Sequence, residues 1–191
     1  MKYQYSKTNS WTKKAKKENY PARSIYKLQE INQKYKIIKK GDWVLDLGAA
    51  PGSWLIFLSR EVDYDGKIIG VDINDLKIEL PQNVFFIKED IYKFQTKDKF
   101  DVIVSDLAAH TTGVEFADVE ETLELCWQAF KIVKESLKQG GSFICKVFEG
   151  EGTEDFFKEI KKGFEFAKRF KPMASRKQSR EIYFIGTGFK E

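Results

Sequence analysis

Hydrophobic and polar positions divide the chain into short apolar runs and longer segments with helical periodicity. Apolar runs rich in β-branched and aromatic residues predict strands at 43–47, 67–73, 83–88, 101–107, 141–148, 164–170 and 181–189. Apolar residues that recur every three or four positions predict helices at 22–35, 53–61, 118–138 and 153–162. Strands that alternate with helices are typical of a mostly parallel sheet with helices on both faces, so we expect an α/β fold.

The positive charge of the chain is concentrated at its N-terminus. Residues 1–40 contain twelve basic and two acidic residues, whereas the remainder contains 21 basic and 27 acidic residues. Aromatic residues such as Tyr3 and Trp11 are interleaved with these lysines. Lysines attract phosphates and aromatic rings stack on bases, so the pattern favours contact with a nucleic acid, although a solubilising tail has the same composition. We expect a flexible basic arm over residues 1–20 and a single domain over residues 21–191.

Composition excludes several classes of protein. Aromatic residues make up 15% of the 191 residues, too many for a disordered chain, and the length suits one domain. Two cysteines, Cys126 and Cys145, and one histidine, His110, are too few for a disulfide scaffold, a zinc site or a Ser-His-Asp triad. No apolar run reaches the roughly 18 residues of a membrane span. The N-terminus also lacks the apolar core of a signal peptide, so we expect a soluble, cytoplasmic protein without a metal centre.

A turn that contains glycines follows the first predicted strand. In the segment DLGAAPGSW (46–54), Gly48 and Gly52 allow the backbone to turn tightly and to approach a ligand closely. The segment lacks the G-x-G-x-x-G spacing of dinucleotide-binding proteins, which argues against a nicotinamide-dependent oxidoreductase. Asp46, at the mouth of the turn, suits a ligand with a positive or amino-bearing group better than it suits a pyrophosphate.

Carboxylates follow the later strands of the predicted sheet. Asp72 ends the second strand, about 20 residues beyond the glycine turn, where an acid can bind both hydroxyls of a ribose. Glu89 and Asp90 follow the third strand, within reach of an adenine amino group, and Asp106 ends the fourth. Any single one of these acids is better explained as a helix cap. As an ordered set after successive strands, they describe a pocket for an adenosine with a cationic amino-acid tail, and S-adenosylmethionine fits that description.

Five segments carry motifs that occur together in a known family. They are ARSIYKLQEI (22–31), DLGAAPGSW (46–54), VSDLAAHTTG (104–113), FICKVFEGEG (143–152) and ASRKQSREIYFIG (174–186). In this order, and over about residues 20–189, the chain resembles the FtsJ/RrmJ-type family of RNA ribose 2′-O-methyltransferases. The resemblance implies a Rossmann-like S-adenosylmethionine-dependent methyltransferase fold, with a seven-stranded sheet and an antiparallel last strand. Ala109 and His110 stand where the family most often has Pro and Asn, which affects the loop beside the cofactor.

The resemblance also implies roles for individual residues. Family members use a Lys-Asp-Lys-Glu tetrad, whose counterparts here are Lys27, Asp106, Lys146 and Glu181. It further implies that the cofactor pocket is lined by Gly52, Trp54, Asp72, Asp90 and Asp106, and the glycine turn adds Gly48 to this set.

The chemistry of methyl transfer gives such a tetrad a physical reason. A ribose hydroxyl is a weak nucleophile that must lose its proton as it attacks the methyl group, and Lys146 can take that proton only when neutral. We expect the positive charge of Lys27 to disfavour the protonated form of Lys146 and to stabilise the developing alkoxide. Asp106 and Glu181 are expected to hold the two lysines by hydrogen bonds. The alternative for Lys146 is an edge-strand residue whose amine reaches solvent.

The sequence leaves the RNA target open. Short members of the family resemble the bacterial type, which methylates a uridine of large-subunit ribosomal RNA, so we expect this RNA or the assembled large subunit as the partner of a monomeric enzyme. A tRNA ribose 2′-O-methyltransferase of the same family is the closest alternative. A non-catalytic RNA-binding ribosome assembly factor is a further alternative, which the complete tetrad disfavours.

Overall fold

The computed structural model of the protein describes residues 2–108, 115–176 and 178–190, with side chains from residue 10 onward except at 115 and 116. The loop positions Ala109 and His110 therefore lie outside the described residues. Within the described ranges, no helix is both long enough and apolar enough to span a membrane.

Local periodicity and the observed elements agree closely beyond residue 21. The helices are α1 (Lys2–Lys17), α2 (Ile25–Tyr35), α3 (Ser53–Val62), α4 (Glu115–Ser136) and α5 (Thr153–Gly163). The strands are β1 (Trp43–Leu47), β2 (Lys67–Asp72), β3 (Val84–Lys88), β4 (Phe100–Ser105), β5 (Leu137–Phe148), β6 (Phe164–Phe170) and β7 (Glu181–Phe189). Each strand and helix predicted from the pattern is confirmed, with ends that differ by a few residues.

All seven strands form one sheet, in the order β3-β2-β1-β4-β5-β7-β6. Strand β7 runs antiparallel to β5 and β6, and the remaining neighbours are parallel. The expected sheet with an antiparallel last strand is therefore confirmed. Strand order reverses between β1 and β4, and in such sheets a ligand crevice forms at the carboxyl ends of the strands beside this reversal.

Helices cover both faces of the sheet. Leu28 of α2 and Leu55 of α3 belong to the apolar core on one face, and Phe130 of α4 and Phe156 of α5 belong to the core on the other. Because both faces are buried, the central strands are nearly continuous apolar runs. Asp46 interrupts the apolar run of β1 as a fully buried carboxylic side chain.

The N-terminal segment differs from its prediction. Residues 2–17 form helix α1, whereas a flexible arm was expected. Ala15 is buried, and the ring of Trp11 lies 5.0 Å from the ring of Tyr26 in α2. Trp11 and Ala15 are four residues apart and so share one helix face, which is too short an apolar stripe to stand out among the surrounding lysines. The division into an arm and one domain stays a prediction.

Candidate active site

The carboxyl ends of β1, β2 and β4 open onto a cavity of about 470 Å³. Its described lining contains the carboxylates Asp72, Glu89, Asp90, Asp106, Glu121 and Glu124, and it contains no lysine or arginine. Glu121 and Glu124 come from α4, and the sequence analysis missed them because it followed the strand ends alone. A cavity walled by acids attracts a cationic ligand and repels a phosphate.

Asp72 ties the glycine turn to the end of β2. Its Oδ2 accepts a hydrogen bond from the backbone N–H of Ala50 at 2.9 Å, and its Oδ1 accepts one from the backbone N–H of Asn74 at 2.8 Å. Gly48 has a φ of 82°, and a Cβ at this position would lie only 3.0 Å from the backbone nitrogen of Leu107. The turn therefore needs glycine on both conformational and steric grounds. Four expected pocket residues line the cavity together: Gly48, Asp72, Asp90 and Asp106.

Two other residues expected at the cofactor pocket do not line this cavity. Trp54 is buried against Tyr183, and its indole N–H donates to the backbone carbonyl of Ser24 at 3.0 Å. Gly52 precedes α3 with a φ of 107° and packs against Ile78. Trp54 thus lies in the apolar core with residues of α2 and α3, and its hydrogen bond reaches the residue just before α2.

The four tetrad positions come together next to the cavity. Nζ of Lys146 lies 3.2 Å from Oδ1 of Asp106 and donates to the backbone carbonyl of the same residue at 2.5 Å. Nζ of Lys27 lies 2.5 Å from Oε2 of Glu181. Lys27, Lys146 and Glu181 are all buried. Each lysine thus has its own carboxylate, and Asp106 belongs both to the cavity wall and to the tetrad.

Tyr183 connects the two ion pairs and was missed by the sequence analysis. Its hydroxyl donates to Oδ1 of Asp106 at 2.9 Å, and Nζ of Lys27 lies 6.0 Å from its ring centre. Burial, together with the charge of Asp106, raises the pKa of Tyr183, so the phenol remains a donor. The alternation of β7 contained the signal, because Glu181 and Tyr183 are two residues apart and point to the same face.

The surroundings of Asp106 favour its ionised form. Burial by itself raises the pKa of this carboxyl, but the charges of Lys146 and Lys27 and the hydrogen bond from Tyr183 outweigh burial and leave the pKa below its usual value. Asp106 is therefore a fixed acceptor at neutral pH, able to orient the amine of Lys146.

A further carboxyl group, that of Asp46, lies behind the cavity. It is fully buried, and neither oxygen has a hydrogen-bond partner among the described residues. Burial, with the charges of Asp106 and Asp72, raises the pKa of Asp46 well above its usual value. A buried carboxylate without partners is unfavourable, so this side chain is stabilised by a proton or by a positively charged group brought near it.

Comparisons with known proteins agree with this arrangement. Residues 20–189 match the family model of FtsJ-like methyltransferases. The "Ribosomal RNA large subunit methyltransferase E" of Lawsonia intracellularis is 46% identical over 187 residues, covering 93% of this chain and 92% of that protein. The protein of the same name from Desulfatibacillum aliphaticivorans is 42% identical over 196 residues, covering 97% of this chain and 95% of that protein.

Solved structures show the same fold. A Plasmodium falciparum protein described as a ribosomal RNA methyltransferase superposes with a TM-score of 0.79 at 30% identity, over 89% of this chain and 98% of that one. A SAM-dependent O-methyltransferase of Thermotoga maritima superposes with a TM-score of 0.61 at 16% identity, over 85% of this chain and 64% of that one, a likeness of fold alone. Because the family match spans the whole sheet and every element that carries the cavity and the paired lysines, the chain belongs to the FtsJ-like methyltransferase family.

Proposed function

We propose that the protein transfers a methyl group from S-adenosylmethionine to a ribose 2′-hydroxyl of large-subunit ribosomal RNA. The observation that carries this proposal is the position of Asp106, which lines the acidic cavity and also binds Lys146. Asp106 would therefore lie next to both a cofactor bound in the cavity and a hydroxyl bound beside Lys146. The relatives named as ribosomal RNA large subunit methyltransferases support the choice of RNA.

The chemistry of the cavity fits S-adenosylmethionine. Ribose hydroxyls, an adenine amino group and an ammonium group all need hydrogen-bond acceptors, and the wall supplies carboxylates to accept from them. We assign the ribose to Asp72 and the adenine amino group to Asp90. The unpartnered Asp46 adds a further acid behind the turn. When bound, the cofactor supplies an electrophilic methyl group on a positively charged sulfur.

In the proposed reaction, Lys146 is the general base. The ribose oxygen forms its bond to the methyl carbon as the bond from that carbon to sulfur breaks, and the hydroxyl proton passes to Nζ of Lys146, which must be neutral at that moment. Two contacts from Asp106 fix the direction of this amine. Lys27, held by Glu181, provides positive charge for the oxygen as it loses its proton. Much of the rate comes from holding oxygen, carbon and sulfur in line.

The RNA backbone must be bound outside the acidic cavity. Exposed basic residues are available on α1, where Lys13, Lys16 and Lys17 face solvent, and on the segment between β6 and β7. We propose that these form one basic surface beside the tetrad. We further propose that the protein acts as a monomer in the cytoplasm, on ribosomal RNA or on the assembled large subunit.

The decisive experiment uses labelled cofactor. The protein is incubated with labelled S-adenosylmethionine and, in parallel, with large ribosomal subunits, free large-subunit RNA and tRNA, and the methylated nucleotide is mapped. Label at a 2′-oxygen of large-subunit RNA supports the proposal. Label in tRNA alone would mean that tRNA, and not ribosomal RNA, is the substrate. If the protein binds the cofactor but labels none of the RNAs, the proposed activity is refuted.

A further inference from the structure

A buried arginine donor lies beside the tetrad, near Glu181. Nη1 of Arg23, just before α2, is buried and makes no hydrogen bond within the described part of the chain. Burial and the nearby charge of Arg176 lower the pKa of Arg23, and the charge of Glu181 opposes them. An unpaired guanidinium donor is unfavourable when buried, and a second arginine nearby makes it more so. Such an arrangement favours an anion as a hydrogen-bond partner.

The backbone of Arg23 is held on both sides. The backbone N–H of Ala22 donates to Oγ of Ser53 at 2.7 Å, and the carbonyl of Ser24 accepts from the indole of Trp54 at 3.0 Å. Both contacts come from α3, so the position of Arg23 is fixed before any ligand arrives. Preorganisation of this kind reduces the entropy lost on binding.

The segment that carries Arg176 is also held in place. Oγ of Ser175 donates to Oε1 of Glu181 at 2.7 Å, and the backbone N–H of Met173 donates to Glu30 of α2 at 2.8 Å. Ala174 between them is buried. These contacts dock the segment between β6 and β7 against α2. They place the exposed Arg176 next to Ser175, near enough to Arg23 for its charge to lower the pKa of that guanidinium.

Glu181 does not neutralise this group of cations. Its Oε2 accepts from Lys27 and its Oε1 accepts from Ser175, so both oxygens are already engaged while its charge also acts on Arg23. The excess of positive charge suits an anion, and the planar fork of an arginine matches the oxygens of a phosphate.

We propose that Arg23 and Arg176 clamp a single phosphodiester of the RNA substrate, the one that adjoins the ribose presented to the tetrad. The inference rests on the proposed function for the identity of that ribose. It adds the point at which the polyanion is bound beside the acidic cavity. Arg23 is then a substrate-binding residue whose position is fixed, and Arg176 closes the clamp from the opposite segment.

The salt dependence of RNA binding tests the clamp. Binding of fluorescent single-stranded octauridylate is measured over a salt series for the wild type, Arg23→Gln, Arg176→Gln and the double variant. We expect the double variant to bind about tenfold or more weakly, and its log–log salt slope to fall by about 0.7, the value for one single-strand phosphate. Arg23→Lys should weaken binding and leave the slope unchanged, because it keeps the charge and loses the fork.

Control measurements separate binding from folding. Lys134→Gln removes one exposed charge near the end of α4, at the opposite end of the sheet, and should leave affinity and slope unchanged. Cofactor affinity and melting temperature should be the same for all variants. If Arg23→Gln does not fold, the RNA affinities and salt slopes of Arg23→Lys and Arg176→Gln are compared with those of the wild type instead.

Each outcome decides the proposal. A log–log salt slope that falls by about 1.4 in the double variant would mean that the two arginines bind two separate phosphates, and this would refute the clamp. A slope and an affinity equal to those of the wild type would also refute it. Methyl transfer is assayed separately. A protein that binds octauridylate through both arginines but methylates no RNA refutes the proposed function alone, whereas an active enzyme indifferent to both substitutions refutes the clamp alone.

Discussion

Lys146 and Tyr183 stand directly opposite each other on the antiparallel strands β5 and β7, and both side chains contact Oδ1 of Asp106. Residues opposite each other on an antiparallel pair point to the same face of the sheet. The register of β5 against β7 therefore brings an amine and a phenol to one carboxylate at the end of β4. A slip of β7 by one residue against β5 would turn Tyr183 to the other face of the sheet.

Loss of the phenol should weaken catalysis without abolishing it. Tyr183→Phe removes one hydrogen bond to Asp106, and such a bond is worth roughly 1–2 kcal/mol, so single-turnover methyl transfer should fall about five- to thirtyfold. The bond also favours the ionised form of Asp106, so its removal raises the pKa of that carboxyl. A single-turnover rate equal to that of the wild type would mean that Tyr183 only packs. Tyr64→Phe, on an exposed residue that does not line the cavity, is the matched control.

Lys146 should be needed for chemistry and dispensable for cofactor binding. Lys146→Ala is expected to lose at least about 10²–10⁴-fold in single-turnover rate at saturating RNA, the usual contribution of a general base. Lys146→Arg should not restore activity, because arginine does not lose a proton at neutral pH. Lys138→Ala, at the other end of β5, removes an exposed ion pair with Asp101 and serves as the control. Near-normal turnover by Lys146→Ala would make this lysine structural.

Asp72 should control cofactor affinity. Asp72→Ala removes a charged acceptor worth roughly 1.5–3 kcal/mol, so S-adenosylmethionine should bind about ten- to a hundredfold more weakly by calorimetric titration. The matched control is Asp75→Ala, because Asp75 is exposed in the same connection and pairs with Lys88 outside the cavity. Equal affinity for the wild type and Asp72→Ala would remove Asp72 from the site.

Asp46 should destabilise the cofactor-free protein as the pH rises. Its raised pKa means that the folded state keeps the proton that the unfolded chain releases above about pH 4, so ionisation favours unfolding until the pH reaches the folded-state pKa. Asp46→Asn should therefore melt at a higher temperature than the wild type at pH 8, and the difference should shrink towards pH 4. Melting curves at both pH values test this. The same difference at each pH would mean that charge on Asp46 is not the cause.

The basic face of α1 should bind RNA. Replacement of Lys13, Lys16 and Lys17 by Gln should weaken RNA binding, leave cofactor affinity unchanged, and lower the log–log salt slope by about 0.7 for each lost single-strand phosphate contact. Lys14 is kept, because it lies over the rings of Trp11 and Tyr26 and its loss would loosen the helix. Identical slopes for the wild type and the triple variant would mean that the helix does not touch phosphate.

The strands and helices beyond residue 21 were predictable because each depends on a local pattern. Apolar runs such as β1 and β4 are buried on both faces of a parallel sheet, so their composition alone marks them. The glycine turn at Gly48 and the acid at Asp72 were predictable for a related reason. A parallel sheet collects the residues at its strand ends along one edge, and a strand end can be recognised from the sequence.

Contacts between distant segments could not be predicted from such local patterns. The place of Trp54 in the core, and not in the cavity, follows from how α3 packs against α2, which no local pattern contains. The buried stripe of α1 became visible only against Tyr26, and Glu121 entered the cavity wall only because α4 crosses beside β4.

By itself, the sequence determined the order of the elements, the glycine turn, the acids at the strand ends and, through its motifs, the members of the tetrad. Only the tertiary structure decided how these members pair: Lys146 with Asp106, Lys27 with Glu181, and Tyr183 between them. The reason is physical. Local structure follows from the backbone and side-chain preferences of neighbouring residues, whereas an ion pair depends on the distance between two atoms, and that distance is set by the register and packing of elements far apart in the chain.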